Sequence, residues 1–99
     1  MNEIIHMDYQ KMQDMADRFT QGAQQLDDLR RAILNIAQTY ENGALLGNAG
    51  GTFSNDLRCR LAPAIDRLED KFHELHNDII AAMMDMRRSE GDAGARFGG

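Results

Sequence analysis

The chain has 99 residues, a formal net charge of −5 and one cysteine, and these values exclude several classes of protein. The acidic balance argues against nucleic acid as a partner, because affinity for a phosphate backbone comes mainly from clustered Lys and Arg. A single cysteine excludes an intrachain disulfide framework and any multi-cysteine zinc site. Hydrophobic residues make up 42% of the chain, near the globular norm, while Val is absent. A composition dominated by Ala, Leu, Met and Gln favours helix over sheet.

The first predicted element is a helix over about residues 8–42. Apolar side chains recur there at steps of three and four in two overlapping stripes, and the positions between them are almost all polar. One stripe contains Ile5, Tyr9, Met12, Ala16, Phe19, Ala23, Leu26, Ile33, Ala37 and Tyr40, and the other contains Met15, Phe19, Gly22, Leu26, Leu29, Ile33, Ile36 and Tyr40. This periodicity is typical of an amphipathic helix. Asp8 is a candidate N-cap, and Asn42-Gly43 is the expected stop.

A glycine-rich turn over about residues 43–48 separates this helix from a second one over about residues 49–87. Each glycine in a helix interior costs about 1 kcal/mol relative to Ala, so the glycine cluster favours a break. The second helix has apolar residues at Phe53, Leu57, Leu61, Ile65, Leu68, Phe72, Leu75, Ile79, Ala82 and Met86. Pro63 lies inside it and lacks a backbone N–H, which predicts a kink. The glycines of residues 91–99 predict a flexible tail.

Two long helices joined by a short turn are antiparallel neighbours. The predicted fold is therefore all-α, a single helical-hairpin domain over residues 1–90. The second stripe makes the apolar surface wider than one seam can cover, so we expect two hairpins to pair as a four-helix-bundle dimer. The side chains expected in the seams of the hairpin and the dimer are Met15, Phe19, Leu26, Leu29, Ile33, Ile36, Leu68, Phe72, Leu75 and Ile79.

The sequence contains no catalytic signature. A phosphate loop, a dinucleotide fingerprint and a nucleophile elbow are all missing from it, so neither enzymatic activity nor a cofactor is expected. Glu69, His73 and His76 are spaced to share one flank of the second helix, as metal ligands would. Three ligands do not complete a closed site, so a metal-binding protein is only a remote alternative. Cys59 has an arginine on each side but no evident His base, and we expect it beside a helix interface.

Two short patterns are more specific. Gly47, Ala49 and Phe53 follow the spacing of Gly, any residue, Ala and then a Phe four residues further on, and Leu45 stands two residues before Gly47. Near the end, Met86 is followed after three residues by Glu90. These patterns resemble the signatures of the WXG (Trp-Xaa-Gly) family, the Esx-type small helical-hairpin proteins of type VII secretion. Leu45 replaces the family's turn Trp, and Met86 replaces its C-terminal Tyr.

The resemblance implies a non-enzymatic protein that is a type VII secretion substrate, or the dimer partner or chaperone of one. Its partner would be a second copy or a homologous small helical protein, with the secretion ATPase or a larger effector as further candidates. In the family, the turn of one subunit and the C-terminal motif of its partner form a composite secretion signal. Export would start from the cytoplasm without a Sec-type signal, which the opening MNEIIHMDYQ does not resemble. The replaced aromatics keep an alternative open: an intracellular helical adaptor that pairs with a larger protein and is not exported.

Overall fold

The chain is an antiparallel hairpin of two long helical arms. The computed structural model describes residues 2–44 and 48–97, and within them the side chains of residues 8–43 and 50–90. The elements in chain order are α1 (Asn2–Thr39), a turn that contains a non-helical glycine (Tyr40–Ala44), α2 (Asn48–Asp56), a π-helical turn (Leu57–Leu61) and α3 (Ala62–Phe97). The described backbone contains no strand, and α1 packs along α3. The predicted all-α helical hairpin is therefore confirmed.

The end of the first arm lies where the sequence predicts it. Gly43 has φ 101° and ψ 15°, a left-handed conformation that an L side chain rarely adopts and that commonly ends a helix. The start differs from the prediction, since α1 begins at Asn2 and not near Asp8. Neither proline nor glycine interrupts residues 2–7, so nothing in the backbone prevents the helix from extending toward the N-terminus.

The second arm changes its helical geometry just before Pro63. The N–H of Ala62 bonds to the carbonyl oxygen of Leu57, a five-residue spacing that is wider than that of an α-helix. Pro63 has no N–H to offer the carbonyl of Cys59, so a regular α-helix would leave that carbonyl without its partner. The sequence predicts a kink at Pro63, and the structure has a π-helical turn over Leu57–Leu61 directly before it.

The second arm is also longer than the sequence predicts. Helix α3 continues to Phe97, whereas the prediction ends the helix near residue 87 and treats residues 91–99 as a flexible tail. Once a helix is nucleated, each further residue adds a hydrogen bond, and alanines 93 and 95 favour that extension. The glycines at positions 91 and 94 weaken the helix without breaking it.

The core of the hairpin is thin and rich in alanine. The hairpin is 77 Å long but only 18 and 13 Å across. The fully or nearly fully buried apolar side chains are Ala16, Ala23, Ile33, Ala37, Leu57, Ala62, Ile65 and Met83. The small residues of α1, Ala16, Ala23 and Ala37, allow α3 to approach closely. Among the described side chains, no large one is completely buried, so much of the apolar surface remains in contact with solvent.

Candidate protein-interaction face

A row of apolar side chains on α1 faces solvent. Met15, Leu29 and Ile36 are 51%, 48% and 46% exposed, and they are spaced by multiples of seven residues. Gly22 lies between Met15 and Leu29 in the same row. These four residues form the outer row of α1. A seven-residue spacing keeps side chains on one face of a helix for several turns, so these residues lie along one side of α1.

A matching row lies on the second arm. Leu61 and Leu68 are exposed, Leu75 is half-buried and Ala82 is exposed, again at seven-residue spacing. These four residues form the outer row of α3, whose first member belongs to the preceding π-helical turn. The presence of two such rows on one thin hairpin marks a face that the hairpin itself does not cover.

Both outer rows lie on the same side of the hairpin. Arg30 and Asp66 form an ion pair across the arms at 3.0 Å, and this pair marks the opposite, polar side. A step of two residues turns about 200° around a helix, so Asp66 and Leu68 face opposite ways. Asp27 and Leu29 are separated in the same manner, and Asp27 binds Arg30 at 2.6 Å. One side of the hairpin is therefore charged and the other is apolar.

The remaining predicted interface residues lie in the seam or beside it. Ile33 is buried in the core cluster, while Phe19, Leu26, Phe72 and Ile79 are half-buried. Phe19 and Phe72 pack edge to face with ring centroids 5.3 Å apart. Phe72 also covers Gly22: a Cβ at that position would lie 2.6 Å from Phe72 Cε2. The middle of the α1 row is thus a shallow notch floored by an aromatic ring.

The tip of the hairpin is held by one aromatic pair and one ion pair. The rings of Tyr40 and Phe53 meet edge to face with centroids 4.9 Å apart, although Phe53 remains 44% exposed. The Arg58 guanidinium donates hydrogen bonds to both carboxylate oxygens of Glu41, and the Nη2–Oε2 distance is 3.0 Å. These bonds from Arg58 hold the pKa of Glu41 below its usual range.

The turn motif can be compared with the structure only in part. Leu45 and Gly47 lie outside the described residues. Ala49 lies in α2, but its side chain is outside the described set. Phe53 is the one member whose packing is seen, and its contact is Tyr40 at the end of the first arm.

At the open end of the hairpin, Tyr9 of α1 contacts Glu90, the acidic residue of the C-terminal pattern. The Tyr9 hydroxyl donates a hydrogen bond to Glu90 Oε2 at 2.7 Å, and the Arg87 guanidinium lies 5.2 Å from the centroid of the Tyr9 ring. Desolvation and the hydrogen bond to Glu90 raise the pKa of Tyr9. Met86 and Glu90 line a surface depression with Tyr9 and Asp85. The residues of the C-terminal pattern therefore lie beside a tyrosine supplied by the other arm, a contact that no local sequence pattern indicates.

The histidines do not come together as metal ligands would. His73 Nε2 lies 3.8 Å from Glu69 Oε1, whereas His76 turns toward α1. His76 Nδ1 lies 2.9 Å from the Ala16 carbonyl oxygen and 3.0 Å from Thr20 Oγ1, so both of its neighbours belong to α1. Across the described part of the chain, no three His, Cys, Asp or Glu side chains form a group that could hold a metal ion. Cys59 is exposed and donates to Asn55 Oδ1 at 3.4 Å.

Sequence reasoning also missed the charged cluster on the polar side. Asp27 contacts Arg30 and Arg31, and Arg30 continues to Asp66 on the other arm. The hydrogen bond from Arg30 lowers the pKa of Asp27. Spacings of three and four residues are a signal for the contacts within α1, but the contact with Asp66 depends on the register between the arms.

Comparison with known proteins shows no similarity in sequence or in fold. No family model, no curated protein and no solved structure matches the chain. Within the described ranges, no helix has the length and apolar character needed to cross a bilayer.

Proposed function

We propose that this chain is a non-enzymatic, Esx-like helical hairpin whose outer rows bind a second helical hairpin, and that it is a type VII secretion substrate or the dimer partner of one. The observation that carries the binding function is the exposure of Met15, Leu29, Ile36, Leu61 and Leu68 on one side of the molecule. Isolated exposed apolar residues are common, but a long contiguous apolar band is typical of an interaction surface.

The energetics favour a closed interface. A standard-to-large interface of roughly 2,000 Å² with about two-thirds apolar area would gain on the order of 30 kcal/mol from apolar burial, at ~25 cal/mol per Å². The association cost is about 4–15 kcal/mol, before side-chain ordering is included. An interface of that size on the outer rows would therefore outweigh the cost of association. A hairpin this thin has no second layer of its own to cover the face.

The secretion part of the proposal rests on the residue patterns together with the hairpin fold. Gly47, Ala49 and Phe53 keep the turn spacing of the WXG family, and Glu90 keeps its C-terminal acid. The protein would be made in the cytoplasm and exported without a Sec-type signal. The hydrogen bond from the Tyr9 hydroxyl to Glu90 supports the idea that the Glu90 carboxylate is held in a defined position.

One observation favours the alternative of a helical adaptor that is not exported. Leu45 and Met86 occupy the two positions at which the family has bulky aromatics. An adaptor would use the same outer rows to hold the helical part of a larger protein. The two functions therefore share one binding surface and differ in whether the chain leaves the cell.

Export is the experiment that separates them. The chain would be followed by antibody in culture medium and cell pellet, in host strains with and without the secretion ATPase. Secretion that depends on the ATPase supports the proposal, and retention in both strains contradicts it and favours the adaptor. The variant Leu29→Asp/Ile36→Asp should lose export if the bound pair is the exported species. Its matched control is Gln21→Asp/Asn35→Asp, which adds the same charge to exposed positions of α1 outside the outer row.

A further inference from the structure

The described methionines differ in how far solvent reaches their sulfur atoms. Met15 and Met84 are the two most exposed of them, and Met84 is 58% exposed. Met83, the neighbour of Met84 in the chain, is only 4% exposed and belongs to the core. Since a small oxidant in water must contact the sulfur to react with it, Met15 and Met84 are accessible to such an oxidant and Met83 is covered.

The two accessible methionines lie on opposite sides of the hairpin. Met15 is a member of the outer row of α1, on the apolar side. Met84 follows Ala82, a member of the outer row of α3, by two residues. A step of two residues turns about 200° around a helix, so Met84 faces the polar side of the hairpin. A change at Met15 therefore alters the outer rows, whereas the same change at Met84 does not.

The surroundings of Met15 give water access to the thioether. Met15 shares a surface depression with Lys11, Asp14 and Arg18, and all three charged side chains are exposed. Charged groups of both signs keep this edge of α1 hydrated. A small, polar, water-soluble oxidant such as hydrogen peroxide can reach the sulfur there without any opening of the fold.

Hydrogen peroxide converts a thioether into a sulfoxide. A lone pair on the sulfur attacks one peroxide oxygen, the O–O bond breaks and an S–O bond forms. The attacked oxygen passes its proton through water to the departing oxygen, which leaves as a water molecule. Sulfur loses two electrons and the peroxide gains two. The product replaces a flexible apolar side chain by a polar one that accepts hydrogen bonds.

A sulfoxide at Met15 opposes the binding of a helix to the outer row. The next members of the row are Gly22 and Leu29, whose side chains provide no hydrogen-bond donor for the S–O group. Burying a polar group without a partner is unfavourable. If the sulfoxide instead turns toward the charged edge of α1 to find a donor, the row loses its apolar contact at this position. Both arrangements weaken the interface.

We propose that Met15 is a modification site for hydrogen peroxide, and that its sulfoxide weakens the binding of a helical partner to the outer rows. The inference rests on the proposed function, because it names a regulation of the same binding face. Methionine sulfoxide reductases, one for each sulfoxide epimer, restore the thioether: a dithiol is oxidised to a disulfide and the sulfoxide oxygen leaves as water. A bound partner in turn protects Met15, because it covers the sulfur.

Tandem mass spectrometry measures the rate of sulfoxide formation at each methionine in dilute hydrogen peroxide and separates Met83 from Met84. The monomer is wild type diluted below its dissociation constant, or Leu29→Asp/Ile36→Asp if circular dichroism shows that variant to be folded. In the monomer, Met15 and Met84 should react at similar rates and Met83 about tenfold more slowly, because only Met83 is covered. In concentrated wild type, the rate at Met15 should fall with the paired fraction, and the rate at Met84 should not.

Sedimentation equilibrium before and after peroxide treatment measures the effect on binding. Treatment stops while Met83 is still reduced, so that the core is intact. The dissociation constant of the wild type and of Met84→Leu should rise on the order of tenfold, as expected for one unpaired buried polar group. That of Met15→Leu should change by less than about twofold. Incubation with the reductases and a dithiol should return the oxidised wild type to its starting value.

Polar variants test the same effect without an oxidant. Met15→Gln carries a permanent polar side chain and should weaken the pair on the order of tenfold. Met84→Gln is the matched control on the other side of the hairpin and should leave the dissociation constant unchanged.

Four results would overturn the proposal. The first is equal oxidation of Met15 in the paired and unpaired protein. The second is an unchanged dissociation constant when Met15 is fully oxidised, and the third is an equal loss of binding in Met15→Leu, which would assign the effect to another methionine. The fourth is a wild type that is monomeric before treatment, because no association then exists for the sulfoxide to weaken. ATPase-dependent export tests the proposed function independently of all four results.

Discussion

Replacing Gly22 by Ala tests the close contact between the two arms. The new Cβ would lie 2.6 and 2.8 Å from two carbons of the Phe72 ring, distances that real Cβ atoms do not adopt. Phe72 must therefore move, and its packing on Phe19 resists that movement. Overpacking of this kind costs about 1–3 kcal/mol, whereas replacing glycine by alanine in a helix interior gains about 0.5–1 kcal/mol. We expect a net loss of stability of roughly 0.5–2 kcal/mol.

Urea denaturation followed by circular dichroism measures this change. In a Phe72→Leu background the ring is gone, so Gly22→Ala should become stabilising by about 0.5–1 kcal/mol. Gly51→Ala is the matched control, because a Cβ at Gly51 meets nothing within 4 Å and the position is exposed and helical. That control should stabilise the protein by a similar amount. If Gly22→Ala stabilises the wild type as much as Gly51→Ala does, the close approach of α3 to Gly22 is refuted.

Three further predictions concern the two ends of the hairpin. Gly43→Ala should destabilise by about 1–2 kcal/mol in the same denaturation assay, because φ at this position is 101°; an unchanged midpoint would contradict the turn geometry. The hydrogen bond from Arg58 lowers the pKa of Glu41 in the folded state. The ionised Glu41 side chain therefore stabilises the fold above the unfolded-state pKa of about 4, and this stabilisation is lost as pH falls through the folded-state pKa. Glu41→Gln should therefore be less stable than wild type at pH 7 and equally stable near pH 2, and a pH-independent difference would contradict this. Tyr9→Phe should speed amide hydrogen exchange over residues 84–90 and leave exchange at the tip unchanged. If the variant and the wild type exchange equally fast over residues 84–90, the hydrogen bond from Tyr9 to Glu90 does not hold the open end together.

The sequence was sufficient to predict the hairpin because the relevant signals are local. The step of three and four residues identifies the helix, and the burial of Ala16, Ala23 and Ala37 follows from which face carries the small residues. Gly43 and Pro63 act through their own backbone chemistry, so the turn and the irregular helix could be placed without knowledge of the packing. The helix ends were less predictable, because extension of a helix over a few residues changes the free energy very little.

The contacts across the arms could not be predicted in the same way. The bonds of Tyr9 to Glu90 and of His76 to Ala16 join residues far apart in the chain, and a small change of register would break them. For the same reason His76 contacts α1, and it does not share a metal-binding flank with His73. The width of the apolar stripe predicted an uncovered surface, but the presence of Gly22 over Phe72 depends on how closely the arms approach.

Sedimentation equilibrium at micromolar concentration tests the central claim, that the outer rows are a binding surface, most directly. The wild type should sediment as a dimer, and Leu29→Asp/Ile36→Asp should sediment as a monomer or unfold, because two charges cannot be buried unpaired in an apolar interface. The control Gln21→Asp/Asn35→Asp should remain a dimer. A wild type that is monomeric and fully folded at this concentration would contradict self-pairing through the outer rows and leave only a different chain as their partner.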